Sequence, residues 1–245
     1  MTRLAAICRH PVKGIGREAL AAVTLSAGQG LPFDRHWAVA HEGARLVPGW
    51  NACNNFLRGA KAPSLMAVEA ALDGDSVTLR HPDRPVLTIR PDDAADLPRL
   101  LDWLEPLLPP GRALPVGIAR AEVAMTDSDY PSVSIISLAS CRELGERMGL
   151  PPLDPRRFRG NLVIDEIAAF AEFDWVGKRL QVGEAVLEVV ERIGRCRATM
   201  ASPDTGVVDA DTLGALQSLY RHQDFGVFAR VVAGGRVRQG DAVTR

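Results

Sequence analysis

The stretch AVLEVVERIGRCRATMASPDTG, residues 185–206, contains the pattern that decides the fold. Its first nine residues form an amphipathic run rich in β-branched side chains, which predicts a strand. A Pro-Asp-Thr-Gly turn closes the stretch at Gly206. Cys196 lies between strand and turn, so we expect it at the strand end or in the following loop.

Similar short runs, bounded by Gly, Pro or Asp, recur along the whole chain. In the first half they are RLAAICR, EALAAVTL, HWAVAH, SLMAVEAAL, SVTLR and PVLTIR. In the second half they are SVSIIS, NLVID, KRLQVG, FGVFARVV and GRVRQGDAV. Many strands with few helices predict an α+β, mostly β fold of β-barrel type, not a doubly wound α/β sheet.

Three segments are predicted to be helical. Leucines recur at helical spacing from Leu97 to Leu108, before Pro109-Pro110-Gly111 ends that segment. LASCRELGERMG is a second helix, where Ser140 and Glu143 have the spacing of a capping box and Gly149 suits the stop. A short third helix is expected near DTLGALQSLY. The connector PGRALPVG suggests two domains, residues 1–115 and 116–245.

Composition excludes several classes of function. The chain has 245 residues, 47% hydrophobic, and a net charge of -1, so no global field attracts nucleic acid or an acidic membrane. The four cysteines form no C-x-x-C pair, and the N-terminus lacks a signal peptide. We therefore expect a reduced, cytoplasmic protein that binds neither nucleic acid nor membrane. Motifs of serine hydrolases, P-loop enzymes and histidine metal sites are absent from the sequence.

Positive charge surrounds Cys196. Arg192, Arg195 and Arg197 are its neighbours in sequence, and nearby cations favour a thiolate, which is a nucleophile and a soft metal ligand. The alternative is a buried structural cysteine with solvated arginines. Other cationic segments could converge on it: HPVKGIG with Lys13, FDRHW with Asp34 and Arg35, and DPRRFRGNLVID. The alternatives are a solvated loop for Lys13 and for DPRRFRGNLVID, and a fold-stabilising charge pair for Asp34 with Arg35.

Taken together, HPVKGIG, GLPFDRHWAV, SVSIISLAS, RRFRGNLVI, RIGRCRATMASPDTG and DFGVFARVVAGGRVRQGDAV resemble the MOSC domain family. The resemblance is to the branch with an N-terminal β-barrel domain, to which the mitochondrial amidoxime-reducing component belongs. The motifs occur in family order over nearly the whole chain. The resemblance implies a MOSC N-terminal β-barrel domain followed by a MOSC domain.

The resemblance also implies a molybdenum-molybdopterin cofactor, with Cys196 as the cysteine whose thiolate binds the metal. Lys13 and Gly14 match a lysine-serine pair at the anionic end of the cofactor, although the serine is missing. Further matches to cofactor-binding positions are Arg35, Ser137, Ser140, Arg159, Asn161 and Arg195. Asp204 in the turn is a candidate for orienting the site or relaying a proton, although turn formation alone would explain it.

Three functions remain open from the sequence. The resemblance favours an oxidoreductase that reduces N-hydroxylated small molecules. The chain ends at Arg245 without the C-x4-C-x2-C spacing of a [2Fe-2S] domain, so we expect a separate electron-donor protein. The second function is a carrier of sulfur, as a persulfide on Cys196, or of the cofactor. The third is a β-barrel binding module for another phosphorylated ligand.

Two further expectations concern pyridoxal phosphate and the loop around Cys53. Pyridoxal phosphate binding is linked to the wider family through the molybdenum cofactor sulfurases, but no segment here has the size of their aminotransferase-like domain. In the loop GWNACNNFLRG, Trp50 or Phe56 would line the mouth of the site, with loop packing as the alternative. Cys53, in the same loop, has no assigned role.

Overall fold

The computed structural model describes residues 1–121 and 124–245, where β-strands predominate over three short α-helices. The strands are β1 (Arg3–Arg9), β2 (Val12–Lys13), β3 (Glu18–Leu20), β4 (Ala22–Leu25), β5 (Trp37–His41), β6 (Glu69–Asp73), β7 (Ser76–His81), β8 (Arg84–Ile89), β9 (Pro115–Arg120), β10 (Val133–Ser137), β11 (Leu162–Asp165), β12 (Arg179–Val182), β13 (Ala185–Gly194), β14 (Asp224–Ala233), β15 (Gly235–Arg238) and β16 (Val243–Thr244). The helices are α1 (Leu97–Leu104), α2 (Leu138–Arg147) and α3 (Thr212–Tyr220). The predicted α+β, mostly β fold is confirmed.

The largest sheet has eight strands in the order β16-β12-β13-β14-β10-β11-β1-β3. Its pairs are antiparallel except β10 with β11. The long β13–β14 pair changes register three times, and such bulges bend and twist a sheet. One apolar face closes over a core formed by valines and leucines of these strands, such as Leu180, Leu187 and Val227.

Smaller sheets cover the rest of the first half. One has the order β2-β5-β9, another is the meander β6-β7-β8, and a third pairs β4 with β15. Helix α1 buries Leu100, Trp103 and Leu104 in the apolar core that Val77 and Leu79 of β7 also enter. Of the six leucines that predicted this helix, Leu97 and Leu101 are half-buried. Leu107 and Leu108 lie beyond the helix, which ends at Leu104 and is followed by a 3-10 turn over Glu105–Leu107.

The two halves of the chain exchange strands. β1 and β3 belong to the eight-stranded sheet, and β4 pairs with β15 near the C-terminus. Conversely β9, which begins at Pro115, pairs with β5 of the first half. The division into residues 1–115 and 116–245 therefore stays a prediction, because the chain crosses between the two parts several times.

Two local predictions were wrong, and each has a local cause. Ser137, not Ser140, caps α2: its Oγ accepts a hydrogen bond from the Ser140 amide at 3.4 Å, because the helix follows β10 directly. SLMAVEAAL is not one strand, since a 3-10 turn over Pro63–Ala67 precedes β6. Gly149, at a φ of 69°, follows the end of α2 as predicted.

Candidate functional site

A cavity of about 320 Å³ lies between the segments that the sequence singled out. It receives Lys13 from the end of β2, Arg159 from the turn before β11, and Cys196 from the loop after β13. The predicted site residues in its lining are Lys13, Gly14, Arg35, Arg159, Asn161, Arg195 and Cys196. Strands from both halves of the chain are thus needed to form one cavity.

Cys196 presents an exposed thiol. Its carbonyl oxygen accepts hydrogen bonds from the Thr199 amide (3.2 Å) and the Thr199 hydroxyl (3.1 Å), which begin a 3-10 turn over Arg197–Met200. The backbone is therefore held while the sulfur remains accessible. The alternative of a buried structural cysteine describes Cys141, which is 1% exposed, and does not describe Cys196.

Arg195 points into the protein and not toward solvent. Its Nε donates to the Phe225 carbonyl at 2.7 Å and its Nη1 to the Phe158 carbonyl at 2.8 Å. Burial lowers the pKa of Arg195 to about 10, and in the described part of the chain no carboxylate forms an ion pair with it. A buried cation held only by carbonyl oxygens leaves net positive charge beside the cavity.

Arg159 adds a second cation, half-buried as a residue, with unused hydrogen-bonding capacity at its buried Nη2. Within residues 1–121 and 124–245 its Nη2 has no hydrogen-bond partner. Burial, together with repulsion from the Arg35 guanidinium, lowers the pKa of Arg159 to about 9. Buried donors are normally satisfied, so the orphaned Nη2 indicates a missing acceptor in the cavity. An anion would supply that acceptor and relieve the repulsion between the two guanidinium groups.

Arg35 is fixed next to Arg159. It pairs with the Asp34 carboxylate and donates from Nη2 to the Arg159 carbonyl at 3.0 Å. Both arginines have positive φ angles, 51° for Arg35 and 48° for Arg159. Left-handed backbone at a bulky residue is uncommon, and it directs both guanidinium groups to the same cavity.

Lys13 is nearly fully buried at the same cavity. Its Nζ donates to the Met125 carbonyl (2.6 Å) and to Asp127 Oδ1 (2.7 Å). Burial lowers the pKa of Lys13, although the Asp127 charge opposes that shift. Asp127 is the one carboxylate among the described residues that line the cavity. We call Lys13, Arg35, Arg159 and Arg195 the cationic wall. Its positive charges outnumber the one negative charge, that of Asp127, in the described lining.

Gly14 explains the missing serine of the family pair. Its φ is 72°, and a Cβ at this position would lie 2.5 Å from the Leu57 carbonyl oxygen. A serine would collide with backbone, and only glycine adopts this conformation without strain. The Leu57 carbonyl thus occupies the space that a side chain would need, so Gly14 can contribute only its backbone to binding.

Asn161 lines the cavity but uses its amide within the fold. Its Oδ1 accepts from the Ser134 amide (3.1 Å) and hydroxyl (2.8 Å), while its Nδ2 donates to the Cys8 carbonyl at 3.2 Å. These bonds connect β1, β10 and β11. The position supports a role in holding the Arg159 turn in place.

Three predicted site residues are not brought to the cavity. Ser137 caps α2, and the buried Ser140 hydroxyl donates to Glu172 at 2.8 Å and accepts from the Phe170 amide at 2.8 Å. Asp204 is exposed and pairs with Arg156 at 2.7 Å. The hydroxyl groups of both serines form hydrogen bonds inside the protein, and Asp204 stabilises the turn after Cys196.

The loop before Gly59 supplies lining residues that the sequence did not assign to the site, Cys53 and Arg58, besides Trp50, which it did. The Cys53 sulfur accepts a hydrogen bond from Arg58 Nη1 at 2.8 Å, so the cavity contains a second thiol. Trp50 does line the mouth, with its Nε1 bonded to the Thr126 carbonyl at 3.1 Å. Phe56 is instead buried. The Trp- and Asn-rich composition of the loop was the available signal.

The turn after Cys196 is anchored on the first half of the chain. Buried Arg17 donates to the carbonyls of Met66 and Pro203, each at 2.9 Å. Gly206 packs so closely on this half that a Cβ would lie 2.4 Å from the Ser64 Cα. These contacts fix the Cys196 loop relative to the cationic wall.

Behind the cavity, His10 and Asp34 form a buried pair that makes stability depend on pH. The His10 amide donates to Asp34 Oδ1 at 2.7 Å. Burial, with the Arg159 charge, lowers the pKa of His10 to about 3. Below about pH 6.5, His10 is protonated in the unfolded chain but stays neutral in the folded protein. The free energy of unfolding therefore decreases as the pH falls from about 6.5 to 3, by at most ~1.4 kcal/mol per pH unit.

We expect His10→Gln to reduce this slope by about one proton, measured by urea unfolding between about pH 4.5 and 6.5. Above pH 7 the slopes of the variant and the wild-type protein should coincide. His81→Gln is a comparison variant: burial lowers the pKa of His81 as well, so this variant should also reduce the slope, and it should do so independently of His10 because His81 lies away from the cavity. Equal slopes for the wild type and His10→Gln would refute a neutral buried His10.

Comparison with known proteins gives family matches along the chain. Residues 122–244 match the MOSC domain, and residues 1–102 match the MOSC N-terminal beta barrel domain. Mitochondrial amidoxime-reducing component 1 of Danio rerio is 25% identical over 248 residues, covering 84% of this chain and 72% of the relative. Human mitochondrial amidoxime reducing component 2 is 33% identical over 129 residues, 48% of this chain and 38% of the relative.

Among solved structures, the YuaD protein of Bacillus subtilis aligns over 99% of this chain and 94% of its own, with 15% identity and a TM-score of 0.47. Each helix that the structure describes is too short or too polar to cross a membrane. In the same residues, no group of three or more His, Cys, Asp or Glu side chains could hold a metal ion.

Proposed function

Because the chain belongs to the MOSC domain family, we propose that it is a molybdenum-cofactor-dependent oxidoreductase that reduces N-hydroxylated small molecules. The observation that carries the proposal is one cavity whose lining combines two kinds of chemistry. It contains the exposed thiol of Cys196 together with cations that include the buried, unpartnered Nη2 of Arg159. Relatives named for amidoxime reduction support the type of reaction.

The lining fits a molybdopterin-type cofactor. Its phosphate is a dianion that needs several donors from different segments, and Lys13, Arg35, Arg159 and Arg195 provide them. The metal needs a sulfur ligand, which Cys196 would provide as a thiolate. One cysteine ligand is consistent with the lack of a multi-residue metal cluster in the described residues, because the cofactor supplies the remaining ligands.

When bound, the cofactor would supply the two-electron chemistry that breaks the N–O bond. In the net reaction two electrons and two protons convert the N–OH group to N–H and water. The chain's own residues bind and orient: Arg35 and Arg159 hold the anionic end, and Cys196 holds the metal end. Trp50 and Met66 supply apolar surface that excludes water from the cavity.

Asp204 is better suited to orient the site than to relay a proton. Its carboxylate is paired with Arg156 outside the cavity, and its amide donates to the Ser202 hydroxyl at 3.2 Å. Both contacts stabilise the turn that follows Cys196. Protons would then reach the substrate from solvent at the exposed thiol end of the cavity.

The direct test is reduction of benzamidoxime by protein produced in a host that makes the cofactor. We expect turnover with a small reductant such as dithionite-reduced viologen, and no turnover without an added reductant. A natural reaction would then use a separate electron-donor protein, in the cytoplasm. Molybdenum-loaded protein that is inactive on every N-hydroxylated compound tried would contradict the proposal.

The exposure of Cys196 also suits a second candidate, a carrier of sulfur or of the cofactor. An accessible thiolate can take the outer sulfur of a donor persulfide, which leaves as a thiolate, and so become a persulfide itself. Mass spectrometry of gently purified protein separates the two functions. A species heavier by about 32 Da that depends on Cys196, without stoichiometric molybdenum, would favour the carrier.

A further inference from the structure

Two open recesses flank the mouth of the cavity. The first, of about 540 Å³, shares Trp50 and Ala52 with the cavity and contains Arg45. The second, of about 300 Å³, shares Arg58 with the cavity and contains Lys61 and Arg112. The loop from Gly43 to Ala62 thus carries surface that is continuous with the site on both sides.

Cations are the charged residues that line the two recesses. We define the cationic rim as Arg45, Arg58, Lys61 and Arg112, which line the two recesses, together with the exposed Arg197, which follows Cys196 in the chain. Among the ion pairs of the described residues, none includes a member of this rim. The described residues that line the two recesses include no carboxylate. Since the whole chain has a net charge of -1, this concentration of unpaired cations is local.

We propose that the cationic rim is the docking surface for an acidic electron-donor protein. The inference rests on the proposed function, because a donor is needed only if the site is reduced in each turnover. Long-range attraction between complementary surfaces accelerates encounter and orients the partners. Docking over the mouth places the donor beside the cavity that holds Cys196.

A protein fits the rim better than a small anion. Arg45, Lys61, Arg112 and Arg197 are exposed on long, flexible side chains, and they occur on both sides of the mouth. A small anion would contact one recess, whereas several carboxylates on a protein surface contact both. Exposed apolar residues neighbour the cations in the chain: Leu46 and Val47 follow Arg45, and Leu114 lies two residues after Arg112, with exposures of 45%, 60% and 47%. Apolar contact with surrounding charge is the usual composition of a transient interface.

The test uses the full-length chain and a reduced plant-type [2Fe-2S] ferredoxin, an acidic one-electron carrier, with basic cytochrome c as the opposite probe. Binding is measured by calorimetry and does not require molybdenum. We expect the ferredoxin to bind, and to bind at least ~10-fold more weakly at about 300 mM salt than at about 20 mM. We expect no binding of cytochrome c at either concentration.

The decisive variant is Lys61→Glu with Arg112→Glu, which should weaken ferredoxin binding by at least ~10-fold at low salt. The matched control is Arg147→Glu with Lys178→Glu, which changes the net charge equally at exposed cations outside the rim. That control should bind as the wild type does. Equal loss in both doubles, or no loss in the rim variant, would overturn the docking surface.

Activity separates this inference from the proposed function. With dithionite-reduced viologen, the rim variant should reduce benzamidoxime as fast as the wild type, since neither residue lines the cavity. Loss of ferredoxin binding with viologen-dependent turnover intact supports the rim. Absence of viologen-dependent turnover in the wild type would contradict the proposed function, while the binding data would still decide the rim.

Discussion

Replacing Cys196 with serine is expected to reduce benzamidoxime turnover at least ~100-fold while the protein remains folded. Even loss of a residue that only supports a metal ligand typically costs 10–100-fold in metal affinity or activity, so loss of the ligand itself should cost no less. The substitution is structurally mild, because the thiol is exposed and only the Cys196 carbonyl holds the following turn. Turnover with dithionite-reduced viologen and the melting temperature are the two measurements.

Cys53→Ser is the matched control, since Cys53 is the other thiol in the cavity lining. Its sulfur accepts a hydrogen bond from Arg58, an interaction that a serine hydroxyl can also accept. We expect this variant to keep at least half of the wild-type rate. Loss of turnover in Cys53→Ser with full activity in Cys196→Ser would contradict the assignment and would make Cys53 the metal ligand.

Gly206→Ala is expected to lower the free energy of unfolding by about 2–5 kcal/mol. The residue has a φ of 70°, which costs a side chain roughly 1–2 kcal/mol, and its Cβ would lie 2.4 Å from the Ser64 Cα. Backbone cannot yield as a flexible side chain does, so the turn or the Pro63–Ala67 segment must shift. Urea unfolding monitored by tryptophan fluorescence measures the loss.

Gly28→Ala isolates the contact from the conformational cost. Gly28 has a φ of 72°, but a Cβ there would meet no atom within 4 Å. It should therefore lose only about 1–2 kcal/mol. If both variants lose the same free energy of unfolding, a side chain at Gly206 meets no resistance from Ser64. The close contact that anchors the Cys196 loop on the first half of the chain would then be refuted.

The fold was largely predictable because its signals are local. Alternation of apolar residues marked β13, and the Gly149 stop marked the end of α2, since both depend on neighbours in sequence. The start of α2 was mispredicted, because Ser140 with Glu143 has the spacing of a capping box, whereas the actual cap, Ser137, has no Glu or Gln three residues later. The exchange of β4 onto β15 depends on long-range pairing that no local pattern encodes.

For the candidate site, a polar or charged residue type alone did not predict whether a side chain reaches the cavity; its place in the fold decides that. Lys13, Arg35, Arg159 and Cys196 meet at one cavity, but Ser137 and Ser140 have the same polar character and are used inside the fold. Arg17 and Cys53 were missed, because their importance comes from contacts between distant segments. Their roles could be inferred only once the geometry was known.

The most direct measurement of the central claim is the molybdenum content of wild-type, Cys196→Ser and Cys53→Ser protein, purified in parallel from a host that makes the cofactor. Metal analysis should give close to one molybdenum per chain for the wild type and Cys53→Ser, and at most about a tenth of that for Cys196→Ser. Equal molybdenum in the wild type and Cys196→Ser would contradict the assignment of Cys196 as the metal ligand.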